Sequence, residues 1–182
     1  VASTAEGLLH IVGADSPKRF LLLFQNDAEL RATGGFIGSF GILDIADGKI
    51  KKFDVPPSGT YATQGQLTAY LRAPEPMHLI NPRWEFQDAN WFPDFPTSAA
   101  TAMRLYELSH GATVDGVIAI NTALLEAIVE LLGPMPDPDN KGVFITAQTI
   151  TERITQDIKE NRDGNEQPKE IITALAPILI SR

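Results

Sequence analysis

The sequence contains no cysteine and only three histidines among its 182 residues. Without cysteine, the chain has no disulfide framework, no thiolate nucleophile and no zinc site that uses a cysteine ligand. The histidines, His10, His78 and His110, are isolated, and none has the HExxH or HxH spacing of a metal site. These absences exclude thiol chemistry and argue against a histidine-ligated metal.

Long apolar runs and an excess of positive charge are also missing. Runs such as 20–24 are far shorter than the roughly 18 or more residues that span a bilayer. The 15 Lys and Arg residues against 23 Asp and Glu residues give a net charge of −8, which argues against a nucleic-acid partner. The hydrophobic share of 43% is that of an ordinary globular protein.

The acidic excess lies in one part of the chain. Residues 61–140 carry 3 basic and 10 acidic side chains, whereas residues 1–60 carry 6 and 7, and residues 141–182 carry 6 and 6. We therefore expect any small anion site to draw on the two ends of the chain, even though the whole protein is acidic.

The order of apolar runs and turn signals predicts a single α/β domain over residues 1–182 with a mixed sheet. The continuous run at 19–25 predicts a strand covered on both faces, and Asp47-Gly48 predicts a hairpin between 36–46 and 49–55. More than half of the 13 prolines fall in 56–96, which predicts a long irregular excursion. The other predicted elements are a buried strand at 114–120, a short strand at 143–145, and helices near 4–13, 65–71, 96–110, 121–132, 146–161 and 169–180. For the helix at 96–110, Thr97 or Ser98 is the predicted N-cap and Gly111 the predicted C-terminal stop.

The polar segment 26–35 is the first candidate site, because it leaves the end of a buried strand, where α/β sheets bind ligands. Gly34 and Gly35 would allow a ligand to approach the backbone closely, and Arg31 suits phosphate. Asp27 and Glu29 are candidates to hold a metal ion or accept a proton. The purely structural alternative is a glycine turn beside an ion pair between Arg31 and one of these carboxylates.

The segment 87–98 is the second candidate site, because aromatic residues alternate there with polar ones. Asp88, Asn90 and Trp91 in a proline-fixed loop are typical of a sugar-binding surface or a lid. The alternative is that Trp91 and Phe92 attach the loop to the core while Asp94 caps a turn.

Lys169 is the third candidate. It stands next to Pro168 at the predicted start of the last helix, where a bound anion would be stabilised by the helix dipole and the ammonium together. The other basic residues near the C-terminus are interpreted as solvated helix faces.

Three segments together resemble a bacterial family, domain of unknown function 4012: NDAELRATGGFIGSF at 26–40, DANWFPDFPTSA at 88–99 and VDGVIAINTALLEAIVELLGP at 114–134. That family is similar in layout to the LytR-CpsA-Psr phosphotransferases, which transfer polyprenyl-pyrophosphate-linked glycopolymers to the cell wall. The resemblance implies a three-layer α/β/α sandwich with a mixed central sheet, and it implies that Lys169 replaces a pyrophosphate-binding arginine.

The chain departs from the phosphotransferase pattern at two places. Arg31 is followed by ATGG instead of the Asp-Thr pair that supplies the magnesium aspartate. After the hairpin, Val55-Pro56-Pro57 replaces a Pro-Arg-Asp motif, so a second phosphate-binding arginine is missing.

The leading hypothesis is an extracytoplasmic domain of the cell envelope that binds a polyprenyl-phosphate or glycan-phosphate ligand, with phosphotransferase activity as its catalytic form. In that case Arg31, Gly34, Gly35 and Lys169 bind the phosphate, and Asp27 or Glu29 holds Mg²⁺ or acts as the base. The chain begins with Val1 rather than Met, so we expect a membrane anchor outside this chain. The alternatives are a non-catalytic interaction or scaffold module of the envelope and a cytosolic small-molecule enzyme.

Overall fold

The computed structural model describes residues 2–56, 58–138 and 140–162. This part of the chain is mixed α/β, as predicted. The helices are α1 (Ala2–Ile11), α2 (Phe95–Leu108), α3 (Thr122–Leu132) and α4 (Ile150–Arg162); the strands are β1 (Lys18–Asn26), β2 (Phe36–Ala46), β3 (Lys49–Asp54), β4 (Gly116–Asn121), β5 (Met135–Pro136) and β6 (Phe144–Ile145); three short 3-10 helices are Gly59–Ala62, Met77–Leu79 and Phe86–Asp88.

The main sheet has four strands in the order β3-β2-β1-β4. β1 pairs antiparallel with β2 and parallel with β4, so the sheet is mixed, as the sequence predicts. In the parallel pair Gln25 lies opposite Asn121, and the carboxyl ends of the two strands therefore meet at one edge. That edge positions the loop at 27–35. β5 and β6 form a separate two-stranded sheet.

The predicted hairpin between β2 and β3 is confirmed. Asp47 has φ 53° and Gly48 has φ 68°, so both turn residues adopt the left-handed conformation that a two-residue type I′ turn requires. β3 is an edge strand of this sheet, and its exposed lysines at 49, 51 and 52 discourage pairing with another chain.

The core forms where the apolar run of β1 meets α2 and the excursion at 56–96. Leu21 and Leu23 of β1 are 0% and 2% exposed. They cluster with Phe40 of β2, with Phe86 of the excursion and with Leu105 of α2. The Phe40 and Phe86 rings meet edge to face with their centroids 5.2 Å apart. The excursion is thus attached to the sheet by aromatic packing, which keeps its loops in place.

A second apolar cluster lies between α3, the β5-β6 pair and α4. Its buried residues are Val129, Met135, Ile145, Ile150 and Ile154. Their burial packs α4 against α3.

The caps of α2 differ from the prediction. The N-cap is Asp94, whose carboxylate accepts a 2.9 Å hydrogen bond from the Thr97 backbone N–H, so Thr97 and Ser98 already lie within the helix. At the other end His110, with φ 66°, takes the left-handed conformation that was expected of Gly111. Gly111 is required for a different reason, because a β-carbon there would collide with the Tyr106 ring.

Other element predictions were also wrong in detail. The predicted helix at 65–71 is absent; that stretch is irregular, and a 3-10 helix precedes it at Gly59–Ala62. α4 begins at Ile150 rather than Thr146, because the Thr149 hydroxyl accepts a hydrogen bond from the Thr146 N–H and holds a turn there. β4 is partly exposed rather than buried, since β1 is its one neighbour in the described sheet.

The predicted helix at 169–180 lies outside the described residues. Within the described residues, none of the helices combines the length and the apolar character that crossing a bilayer requires.

Candidate functional site

The loop at 27–35 leaves β1 and returns into β2. Its base is closed by a 2.9 Å hydrogen bond from the Phe36 N–H to the Glu29 carbonyl oxygen. Gly35 has φ 132°, and a β-carbon at this position would overlap the Asn26 carbonyl oxygen. Only glycine fits there, so the loop has one tightly defined return path to the sheet.

The loop at 87–94 is fixed by the aromatic residues around it. The Trp84 indole N–H donates a 3.0 Å hydrogen bond to the Asp88 carbonyl oxygen. The Trp84 and Phe92 rings meet edge to face at 6.1 Å, and the Ser98 hydroxyl donates to the Phe92 carbonyl oxygen at 2.7 Å. Phe92 therefore helps to hold this loop in place, as the structural alternative expected. Asp94 caps α2 rather than a turn.

A single side chain joins the two loops. The Nδ2 atom of Asn90 donates a 2.7 Å hydrogen bond to the Gly35 carbonyl oxygen, and Asn90 is only 2% exposed. The two segments that the sequence singled out separately are therefore one structural unit.

A cavity of about 590 Å³ lies where these loops meet the segment 76–81. Four residues predicted as site residues line it together, namely Arg31, Asp88, Asn90 and Trp91. The remaining lining residues are mainly apolar: Leu30, Ala32, Pro76, Met77, Ile80 and Asn81. Its volume lies within the range of about 300–1,000 Å³ typical of small-molecule sites.

Arg31 is the one cation among the residues that line this cavity. Its Cζ atom lies 5.0 Å from the centroid of the Phe36 ring, and its Nη1 donates to the Leu30 carbonyl oxygen at 3.0 Å. Within the described part of the chain it forms no ion pair with an acidic side chain. The guanidinium is held in place and has no direct contact with a carboxylate among the described residues, so its N–H donors are suited to bind an anionic group.

Asp88 lies in the same cavity, partly buried. Burial raises the pKa of its carboxyl above the ordinary 3.8, and this effect is opposed by a hydrogen bond from Asn81 and by the positive charge of Arg31. The Asn81 Nδ2 atom is 3.4 Å from Asp88 Oδ2, which is a long hydrogen bond. The carboxyl group is therefore incompletely compensated for its loss of water.

Asn90 supplies a second uncompensated group. While its Nδ2 is bound to Gly35, its Oδ1 is buried and has no hydrogen-bond partner among the described residues. The orientation of the amide follows from chemistry, because only the nitrogen can donate to the carbonyl oxygen at 2.7 Å.

Asp27 and Glu29 lie outside the set that lines the cavity. The Asp27 carboxylate accepts a short hydrogen bond from the hydroxyl of Thr122, at the start of α3. The Glu29 carboxylate accepts from Asn26 Nδ2 at 3.2 Å. The expected alternative, an ion pair of either carboxylate with Arg31, is not formed.

The described residues contain no group of three or more His, Asp or Glu side chains that could hold a metal ion. Asp27 and Glu29 alone would give an incomplete magnesium site, so a Mg²⁺ ion held there would need oxygen ligands from a bound phosphate. Magnesium binding stays a prediction.

Of the two remaining predicted site residues, Gly34 lies within the described part of the chain and Lys169 does not. Gly34 is exposed, with φ 88°, and lies beside the Gln25 side chain at the loop's return. Lys169 lies outside the described residues, so its predicted place beside Arg31 stays a prediction.

The sequence did not reveal the contribution of the segment 76–81 to the cavity wall. Its proline content predicted an irregular excursion, but no pattern indicated that Met77 and Ile80 would line the same cavity as Arg31. Leu30 and Ile80, which are 87% and 91% exposed, are large apolar side chains in this wall that face solvent. Their exposure is the feature that singles them out, and exposure is not readable from the sequence.

A second cavity of about 530 Å³ lies at the opposite end of β1. Two of its three cations are paired: Arg19 makes two 2.7 Å hydrogen bonds to the Asp44 carboxylate, and Lys18 lies 3.8 Å from Asp115. The third, Lys51, forms no ion pair among the described residues. The cavity at Arg31 differs from this one in its mainly apolar wall.

The described part of the chain is mixed α/β and has a cavity where two loops meet the segment 76–81. A family model described as "Protein of unknown function (DUF4012)" matches residues 15–158, and the chain belongs to that family. The match contains both loops and β1 to β4. Comparison with the curated proteins and with the solved structures gave no significant match.

Proposed function

We propose that this chain is an extracytoplasmic domain of the cell envelope that binds a phosphorylated or polyprenyl-pyrophosphate-linked glycopolymer precursor. The observation that carries the proposal is the cavity itself, in which Arg31, without a direct ion pair among the described residues, stands among mainly apolar residues. An anion with an apolar body is the ligand class that matches such a combination.

The phosphate would lie against the Arg31 guanidinium. This group offers a planar set of N–H donors that matches phosphate oxygens in pairs, and the stacking on Phe36 limits its freedom before binding. Less ordering of the side chain is then needed when the ligand arrives.

The polyprenyl chain would lie along the exposed apolar side chains at the cavity mouth. Leu30 and Ile80 line the cavity and are almost fully exposed, and the neighbouring Leu79 is 76% exposed. Covering them with hydrocarbon would contribute roughly 25 cal/mol for each Å² of apolar surface removed from water.

The proposal extends to the scaffold and the location. A three-layer α/β/α arrangement related to the LytR-CpsA-Psr phosphotransferases is supported by the mixed sheet and by the β4-α3 unit that follows β1 in parallel. Lys169 would supply a second cation for a pyrophosphate. Attachment to the membrane would come from an anchor outside this chain.

Binding is better supported than phosphoryl transfer. The candidate base or metal ligands Asp27 and Glu29 are engaged by Thr122 and Asn26, and neither lines the cavity. If the domain is a transferase, Arg31 would stabilise charge on the transferring phosphate, and a bound Mg²⁺ would neutralise charge on the pyrophosphate.

The alternative is a non-catalytic interaction or scaffold module of the envelope. The exposed Leu30, Leu79 and Ile80 also suit a protein partner, since apolar surface rimmed by polar groups is typical of contact sites. One argument for this alternative, an Arg31–Glu29 ion pair, is removed by the contacts of these residues.

Calorimetric titration with farnesyl pyrophosphate, with and without Mg²⁺, tests the proposal. We expect binding by the full chain and a loss of about tenfold or more in affinity in Arg31→Ala, since one charge-assisted contact is worth about 1.5–3 kcal/mol. Arg104→Ala, which removes an exposed arginine of α2 away from the cavity, is the matched control and should bind normally. Absence of binding, or equal affinity of the two variants, would overturn the proposal.

A further inference from the structure

Two residues that line the cavity, Asn90 and Asp88, carry hydrogen-bond acceptors that are poorly satisfied among the described residues. Asn90 Oδ1 is buried without a partner among the described residues. A buried amide oxygen in this state is less favourable than one that is hydrogen-bonded. A ligand that brings a donor to this atom would recover this difference in free energy.

Asp88 adds a second acceptor to the same wall. An ionised carboxylate has two oxygens and accepts hydrogen bonds only. In the described structure the Asp88 carboxylate receives one long hydrogen bond, 3.4 Å from Asn81. Most of its accepting capacity is therefore open to a ligand.

A bare phosphate or a prenyl chain does not supply these donors. A phosphate dianion accepts hydrogen bonds, and placed against Asp88 it would meet repulsion. A hydrocarbon chain has no donor at all. The bound molecule must carry O–H or N–H groups next to the anion that Arg31 binds.

A sugar ring meets this requirement and also suits the rest of the wall. Its hydroxyls donate hydrogen bonds, and its C–H face is apolar enough to lie on an indole ring such as that of Trp91, which lines the cavity beside Asn90. Neighbouring polar and aromatic groups that converge on one apolar cavity are the usual means of fixing ligand orientation.

We propose that the cavity recognises a glycosyl phosphate, with the phosphate on Arg31 and hydroxyls of the directly attached sugar donating to Asn90 Oδ1 and the Asp88 carboxylate. This inference rests on the proposed function and deepens it, because it identifies the sugar attached to the phosphate as the part of the ligand that the cavity recognises. The lipid then contributes contacts at the mouth only.

The test compares ligands of equal charge that differ in hydroxyl content. Glucose 1-phosphate, galactose 1-phosphate and mannose 1-phosphate are titrated against the full chain alongside cyclohexyl phosphate, a ring without hydroxyls. We expect at least one hexose phosphate to bind about tenfold or more tightly than cyclohexyl phosphate, because only the hexose can donate hydrogen bonds to both acceptors.

A variant makes the comparison specific to Asp88. In Asp88→Asn the ratio of hexose phosphate affinity to cyclohexyl phosphate affinity should fall several-fold, while the absolute affinity for cyclohexyl phosphate stays equal or rises because a negative charge is removed. Glu107→Gln, an exposed acid of α2, is the control and should keep the wild-type ratio.

The outcomes separate this inference from the proposed function. Equal affinities for all four phosphates, or an unchanged ratio in Asp88→Asn, would overturn the sugar inference and leave phosphate binding at Arg31 in place. Tighter binding of ethanolamine phosphate than of every hexose phosphate would also overturn it, because the donor would then be an amine. If none of the phosphates or pyrophosphates binds, the proposed function fails as well.

Discussion

Asn90 Nδ2 donates a 2.7 Å hydrogen bond to the carbonyl oxygen of Gly35, across 55 positions of sequence. This contact holds the loop that carries Arg31 against the loop that carries Asp88 and Trp91. The cavity depends on it, because neither loop alone would bring a cation, an acid and an indole ring together.

Replacing Asn90 should therefore destabilise the protein. Asn90→Ala leaves the Gly35 carbonyl without its donor and opens a small void, and we expect a loss of about 1–3 kcal/mol in the free energy of unfolding. Asn81→Ala removes the other asparagine of the same wall, which makes a longer hydrogen bond from a less buried position, and should cost much less. Urea denaturation of the two variants measures the difference, and similar losses would contradict the structural role of Asn90.

Gly35 should resist substitution more than other glycines with positive φ. Gly35→Ala combines a left-handed backbone with a collision against the Asn26 carbonyl oxygen, whereas Gly48→Ala meets nothing within 4 Å. We expect about 1 kcal/mol of destabilisation for Gly48→Ala and about 2 kcal/mol or more for Gly35→Ala, or roughly 4–8 °C in Tm for the latter. Calorimetric melting of both variants checks the order, and a smaller loss in Gly35→Ala would show that the loop return is not as described.

Asp88→Asn should keep or raise stability while weakening hexose phosphate binding. Burial raises the pKa of the folded-state carboxyl above 3.8, so ionisation at neutral pH disfavours the fold, and the amide removes that cost. As the pH falls through the raised pKa, the wild type takes up its proton and the difference between the two proteins should shrink. Denaturation at pH 7 and at a series of acidic pH values gives the result; a variant that is less stable at pH 7 would assign Asp88 a structural role.

Asp44 should show the opposite pH dependence. Its hydrogen bond with Arg19 lowers the pKa of the carboxyl below 3.8, so the pair stabilises the fold above that value and the contribution is lost as the pH falls through the lowered pKa. Asp44→Asn should therefore lower Tm at neutral pH, and the deficit should disappear in strong acid. Melting curves recorded from pH 7 downward test this; a deficit that persists unchanged in acid would show that charge is not its cause.

The sequence predicted correctly those parts of the fold that are determined by interactions between residues close together in the chain. The apolar run of β1, the Asp47-Gly48 turn and the start of α3 at Asn121 all arise from short-range signals, and the structure has each of them. The cap of α2 was misplaced by a few residues because Asp94, Thr97 and Ser98 are all good N-cap types, and only backbone geometry selects among them.

The sequence singled out four of the ten residues that line the cavity, Arg31, Asp88, Asn90 and Trp91, by type and context. It did not indicate the part of the wall that the segment 76–81 supplies. It did not show that one amide would join their loops, because such long-range contacts depend on tertiary packing. It also assigned Asp27 and Glu29 to the site; in the structure the Asp27 carboxylate accepts a hydrogen bond from the Thr122 hydroxyl, and the Glu29 carboxylate accepts one from Asn26.

The most direct test of the proposed binding site is a two-dimensional ¹H–¹⁵N NMR titration of the full chain with farnesyl pyrophosphate. Binding in the cavity should shift the side-chain amide of Asn90, the indole N–H of Trp91 and the Nε–H of Arg31, and leave the Nε–H of Arg19 at the second cavity unchanged. Shifts confined to Arg19 and its surroundings, or no shifts at millimolar ligand, would contradict the account.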